Sequence, residues 1–227
     1  MPQTLRTLDR RTNADDVFDY LHEQINLLKL LPGTRISEVE IADRFDVSRQ
    51  PVREAFIRLS NLGLLLVRPQ RATVVRRFSN EAIKRARFIR TAIECEVIRR
   101  ACRKPLGAYG PKLAKNNEAQ LKAVRDNDVD RFHSLDYDFH KILCAAGDSD
   151  YVFESILESK AQVDRICMLS LAEPAAMEEL VDDHHRIADA VAQQDESRAI
   201  KEITLHLLRL DDVIAAIRKS HPDFFED

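Results

Sequence analysis

The stretch Asp46-Val47-Ser48-Arg49-Gln50-Pro51-Val52-Arg53-Glu54-Ala55-Phe56-Ile57-Arg58-Leu59 reads as a tight turn followed by a helix with two unlike faces. Ser48 suits the N-cap, and Pro51 falls in the first helical turn, where its missing N–H costs nothing. Val52, Ala55, Phe56 and Leu59 recur at helical spacing and mark an inner face. Arg49, Gln50 and Arg53 are left together at the exposed N-terminal end. An arginine fork matches guanine O6 and N7, and a glutamine amide can address adenine, so this end has the chemistry to read bases in a major groove. Base readout is therefore expected from Arg49, Gln50 and Arg53, with Ser48 at the same end.

Upstream, Val17, Phe18, Leu21, Ile25 and Leu28 give a helix over Ala14 to Leu30 that stops before Pro32-Gly33. Ser37 with Glu40 three positions on predicts a capping box for a short helix whose inner contacts are Val39, Ile41, Ala42 and Phe45. Downstream of Gly63, the runs Leu64 to Val67 and Thr73 to Arg76 are β-like and flank Arg68-Pro69-Gln70-Arg71, which predicts a small hairpin, or wing. Arg71 at its tip is placed to reach phosphate or the minor groove. Charge agrees with this reading. Between Arg44 and Arg77 there are eight arginines and two acidic residues, in a chain of net charge −3. Residues 1–77 hold 13 basic against 10 acidic residues, and residues 78–227 hold 22 against 28. A polyphosphate would meet a concentrated basic face on a chain that repels it on average. The alternative, a solvated arginine face on an ordinary helical hairpin, leaves the combined spacing unexplained. Two domains are expected, 1–77 for DNA and 78–227 for a different task.

Only 5 glycines and 8 prolines occur in 227 residues, which favours a mainly α protein with short connections. From Asn80 on, helical periodicity places six helices, near 80–104, 111–125, 129–146, 149–171, 174–193 and 196–219. Short linkers, such as Lys104 to Gly107 and Ala172-Glu173-Pro174, predict an antiparallel six-helix bundle. Cys95, Cys102, Cys144 and Cys167 show no paired spacing and are expected as buried reduced thiols. No apolar run approaches the roughly 18 residues of a membrane span, and no signal-peptide pattern opens the chain. A soluble, cytoplasmic protein without membrane contact is expected.

The bundle carries polar residues where apolar ones belong. The stripe Phe132, Leu135, Asp136, Phe139, His140, Leu143 holds an Asp and a His one turn apart. His184 falls within Met177, Leu180, Val181, Ile187, Val191, and His206 within Ala199, Ile203, Leu210, Val213. A carboxylate buried without a partner is costly, and one Asp with three His suits Zn²⁺, Ni²⁺ or Mn²⁺. Each histidine taken singly also reads as a core residue bonded to a carbonyl or an acid. His185 adjoins His184 but lies on the flank of the stripe. A metal-dependent hydrolase is a remote alternative. The chain has no His-Glu-x-x-His arrangement, and Asp138 lies off the stripe, so no enzyme is expected.

The segments Pro32 to Glu38, Ile41 to Phe45, Val47 to Ala55, then Leu59 and Gly63-Leu64 resemble the winged helix-turn-helix of GntR-family transcription regulators. The resemblance implies operator contacts from Arg35, Arg44, Arg49 and Arg53, with Arg35 and Arg44 chiefly on phosphates. Asp46 stands where a glycine is usual in the turn, and Ala72 where one is usual in the wing. Asp136-x-x-Phe139-His140, His184-x-x-Ile187 and His206-Leu207 resemble the FCD effector domain of the FadR subfamily. That implies a metal on Asp136, His140, His184 and His206, with open positions for a small carboxylate effector. Six helices fit the VanR-like branch and argue against an acyl-CoA effector. Arg90 matches a position that meets the effector carboxylate; a surface salt bridge to Glu94 is the equal alternative. The implied protein is a homodimeric, ligand-responsive regulator, commonly a repressor, on a pseudo-palindromic double-stranded operator. A regulator for which the ion itself is the signal is the second reading.

Overall fold

The protein's structure, a computed structural model, describes residues 11–68, 71–161, 163–171 and 174–226. Pro69 and Gln70 of the expected wing tip, and Ala172 and Glu173 of the expected linker, lie outside the described residues. The chain forms two compact units, Met1–Arg77 and Phe78–Asp227.

In the first unit the order is α1 (Asn13–Asn26), β1 (Arg35–Ile36), α2 (Glu38–Phe45), α3 (Arg49–Asn61), β2 (Leu65–Leu66) and β3 (Thr73–Val75). Thr12 and Asp15 cap α1 reciprocally: the Asp15 N–H donates to the Thr12 hydroxyl at 3.2 Å and the Thr12 N–H to the Asp15 carboxylate at 2.9 Å. The helix ends at Asn26 rather than at the expected Leu30, and Leu28 just beyond it has turned to φ 56°. Ser37 caps α2 by accepting from the Glu40 N–H at 3.4 Å, which is half of the expected box. Asp46 closes α2 in the left-handed region (φ 51°, ψ 48°), so it takes up the glycine conformation of the turn. Ser48 has the extended backbone of an N-cap, but its side chain makes no capping bond.

The wing is a three-stranded antiparallel sheet in the order β1-β3-β2. Leu65 faces Val75 on one side of β3 and Arg35 faces Val74 on the other, which adds a strand the sequence reading did not include. Ala72 avoids the left-handed region, so the missing glycine leaves no strain at that residue. Val17, Leu21, Ile25, Val52, Phe56, Leu59, Leu65 and Val75 form the core, with α1 packed on α3. Each such side chain contributes about 1.5–3 kcal/mol by leaving water.

The second unit contains α4 (Asn80–Ala101), α5 (Tyr109–Arg125), α6 (Val129–Ala146), α7 (Phe153–Ala161), α8 (Asp164–Leu171), α9 (Pro174–Ala192) and α10 (Glu196–Ser220). The expected single helix over 149–171 is instead a 3-10 turn at Asp150–Val152 followed by α7 and α8. The Val163 N–H bonds to Lys160 O at 2.8 Å, a tightened i to i−3 bond that ends one helix before the next begins. The described residues thus hold seven α-helices where spacing placed six, and the helix count does not separate the two family branches. Phe139, Leu143, Ile156, Ile187, Val191 and Ile203 share the main core. The cysteines are thiols: Cys102 and Cys144 are buried as expected, while Cys95 and Cys167 are only half-buried. Among the described residues no helix is long and apolar enough to cross a membrane.

Candidate nucleic-acid interface and metal centre

The burial of Val52, Ala55, Phe56 and Leu59 fixes the roll of α3 and leaves Ser48, Arg49, Gln50 and Arg53 exposed at its N-terminal end. Two acidic neighbours orient this end. Gln50 Nε2 donates to Glu54 Oε1 at 3.1 Å, and Arg53 Nε donates to Glu38 Oε2 at 3.0 Å. Arg44 is exposed on α2 and stacks its guanidinium over the Tyr20 ring, 4.5 Å from the centroid. Arg35 and Arg71 line one open groove beside the wing. Arg68 lines it too and was missed, although it lies in the quoted wing sequence.

In the second unit, Asp136 and His140 on α6, His184 on α9 and His206 on α10 are buried and present ligand atoms that all lie within 4.8 Å of one another. His184 shows how the protein sets the tautomer. Asn116 Nδ2 donates to the Leu135 carbonyl at 3.0 Å, Gln120 Nε2 donates to Asn116 Oδ1 at 2.6 Å, and His184 Nδ1 lies 2.7 Å from Gln120 Oε1. A carbonyl only accepts, so each amide orientation follows in turn and Nδ1 of His184 carries the proton. Its Nε2 is then left with a lone pair and no hydrogen-bond partner, buried 3.4 Å from Asp136 Oδ1. Two acceptors this close in a buried site call for a cation that both can reach.

The other imidazoles have carboxylates behind them rather than hydrogen-bonded amides. His140 Nδ1 sits 2.6 Å from Glu94 Oε2, inside ion-pair reach though off hydrogen-bond geometry, and His206 Nδ1 lies 3.5 Å from Asp183 Oδ2. Acceptors behind each ring orient the opposite nitrogen inward, the arrangement that supports histidine ligands. Burial pushes all three histidines below their ordinary value, His184 to about 4, so they are neutral as ligands must be. Burial opposes ionisation of Asp136, but the Lys160 ammonium against it holds its carboxyl well below the usual range. Asp183, which burial would raise, is held down to about 2 by His206 and Arg209. The donor set therefore fits a divalent ion. Gln120, Glu94, Asp183 and Lys160 are the supporting residues that the sequence reading missed.

Arg90 is buried rather than at the surface, with Nε donating to Glu94 Oε1 at 2.5 Å and Nη2 to His140 Nε2 at 3.1 Å. It also lines a cavity of about 180 Å³ together with His133, Asp136, Lys160, His206 and Arg209. Both readings of Arg90, partner of Glu94 and pocket cation, thus fall on the same side chain. Tyr137 donates to Asp164, and His185 is exposed on the flank, as its place off the stripe implied.

Residues 13–75 match the bacterial regulatory proteins of the gntR family, and residues 86–209 match the FCD domain. The HTH-type transcriptional repressor RspR of Escherichia coli K12 is 35% identical over 211 residues, covering 93% of this chain and 92% of RspR. The chain belongs to the GntR family. GntR-family proteins with an FCD domain are DNA-binding transcription regulators, not enzymes, and the hydrolase alternative is set aside. Two solved structures share the fold of this GntR chain. A GntR transcriptional regulator from Rhodococcus sp. RHA1 superposes with a TM-score of 0.72 at 22% identity, over 91% of this chain and 99% of that one. The E. coli protein McbR/YncC does so with a TM-score of 0.70 at 19% identity, over 93% and 100%.

Proposed function

We propose that this GntR regulator is a cytoplasmic, ligand-responsive repressor that binds a pseudo-palindromic double-stranded operator as a homodimer. Residues 1–77 form the DNA-reading domain, and residues 78–227 form the sensor and pairing domain. Arg49, Gln50 and Arg53 read bases from the first turn of α3, with Ser48 beside them, while Arg35, Arg44 and Arg71 hold phosphate. Asp136, His140, His184 and His206 hold Zn²⁺, Ni²⁺ or Mn²⁺, and a small organic acid enters the adjoining cavity beside Arg90. A divalent ion held there would supply a Lewis-acid partner for the effector carboxylate. The chain's own residues fix the imidazole tautomers, supply the Arg90 guanidinium and exclude bulk water. Effector binding then favours one relative arrangement of the DNA heads by differential affinity.

One observation carries the sensor half: His184 Nε2 and Asp136 Oδ1, both acceptors, lie 3.4 Å apart in a buried site where four candidate ligand atoms fall within 4.8 Å of one another. The pairing surface is formed by α4 and α10. The contacts of Arg87 with Asp211 and of Cys95 Sγ with Thr204 Oγ1, 3.6 Å apart, set these helices antiparallel. Phe88 on one and Leu205 and Leu208 on the other border their seam, with Phe88 76% exposed. Lys84 and Arg85 on α4 and Asp212 on α10 are exposed and of opposite sign, which supplies both charges that a self-complementary two-fold surface needs.

The test is metal analysis of the purified protein beside operator titrations. Arg49→Ala is expected to abolish sequence-specific binding and leave metal content intact; unchanged operator affinity would refute the recognition assignment. A shift of operator affinity on adding Zn²⁺ alone to stripped protein would make the ion itself the signal.

A further inference from the structure

Lys160, in the last turn of α7, is only 3% exposed, and its ammonium contacts Asp136 Oδ2 directly. A protein cation thus already neutralises the one carboxylate of the proposed ion site. A second acceptor lies close by. Asp164 Oδ1, at the start of α8, is buried without a hydrogen-bond partner and stands 3.8 Å from Lys160 Nζ. Asp164 is itself pinned, since Oδ2 accepts from the Tyr137 hydroxyl and His133 Nε2 lies 3.5 Å from Oδ1. The Tyr137 ring lies under the ammonium, 3.9 Å from centroid to Nζ, and gives it a favourable surface between the two carboxylates.

We infer that Lys160 is a two-position cation, paired with Asp136 in the metal-free protein and transferred to Asp164 Oδ1 when Asp136 is claimed by a divalent ion. The inference rests on the metal reading of Asp136, His140, His184 and His206. Its physical basis is like-charge repulsion: an ammonium touching a carboxylate resists a dication on the same group, and burial removes the water that would screen them. Relocation costs little where a second carboxylate oxygen, lacking a hydrogen bond, is already desolvated and in reach. Lys160 and Asp164 belong to the two helices on either side of the interruption after α7, so the transfer tightens the 3.8 Å i,i+4 ion pair that already spans that break. Lys160 therefore couples occupancy of the ion site to the way α7 meets α8.

The experiment titrates Zn²⁺ and Mn²⁺ into metal-stripped full-length protein against a competing chelator dye. Lys160→Met removes the competing charge while keeping the length of the side chain. It is expected to bind metal roughly ten-fold tighter than the parent, the size of an ordinary coupling between two sites. In the metal-free state it should melt at a lower temperature, because Asp136 loses its partner. Asp164→Asn, which keeps the shape but weakens the second berth, is expected to bind metal more weakly than the parent. A parent that binds metal, with Lys160→Met binding equally or less tightly, overturns the inference and leaves the metal reading standing. Should Lys160→Met fail to fold, Asp164→Asn decides: parental affinity in that variant overturns the two-position lysine. If neither the parent nor any variant binds an ion, the metal reading falls and the inference falls with it.

Discussion

Gln120 carries no charge and coordinates nothing, yet it decides which nitrogen of His184 faces the centre. It is fully buried on α5, and its amide orientation is set two bonds away by the Leu135 carbonyl through Asn116. Gln120→Leu keeps the volume but removes the acceptor behind His184, so the imidazole is free to take the other tautomer. Metal affinity is expected to fall roughly 10–100-fold, the usual cost of losing an outer-shell partner, with a chelator competition titration as the measure. An affinity within two-fold of the parent would show that packing alone orients the ring. The four candidate ligands were legible in the sequence because each interrupts an apolar stripe. The same rule does not reach Gln120, because the buried face of α5 also holds Asn116 and Asn117 and so gives no apolar stripe for it to interrupt. Glu94 and Lys160 were harder to find. Their side chains reach the centre from α4 and α7, and only the packing of those helices on α6 tells which buried charges meet.

Elements were legible to the extent that periodicity and caps determine them. Helix α6 has the expected bounds, 129–146, with Asp128 accepting from the Arg131 N–H at its start. Two features fell outside that logic. Strand β1 is two residues long and exists only because β3 offers it an edge, a tertiary effect with no local signature. The interruption between α7 and α8 contains no glycine or proline in its sequence, so no local signal marks it. The packing of α6 on α4 is set by a residue with no side chain. A Cβ on Gly147, the C-cap of α6, would stand 2.9 Å from the Val97 carbonyl oxygen and 3.4 Å from the Ala101 nitrogen, both backbone atoms of α4. Gly147→Ala must therefore push the two helices apart, at an expected cost of about 1–3 kcal/mol. Denaturant unfolding checks this, and an unchanged midpoint would mean that the helix pair shifts freely.

For the molecule as a whole, affinity for a pseudo-palindrome depends on two heads acting together. One winged unit offers a handful of base and phosphate contacts, and tethering a second converts its binding into an intramolecular event. Helices α4 and α10 expose Phe88, Leu205 and Leu208, and a contiguous apolar surface of this kind marks an interaction site. Phe88→Glu places a charge at the most exposed of these positions without touching α3 or the ion site. The variant is expected to sediment as a monomer with unchanged helical content and metal stoichiometry. It should lose about two orders of magnitude or more in affinity for the full operator while keeping the parent's weak affinity for a single half-site. A Phe88→Glu protein that remains dimeric would move the pairing surface elsewhere on the bundle. A monomer with full operator affinity would mean instead that each DNA head acts alone, and the two-headed mechanism would be lost even with the recognition helix intact.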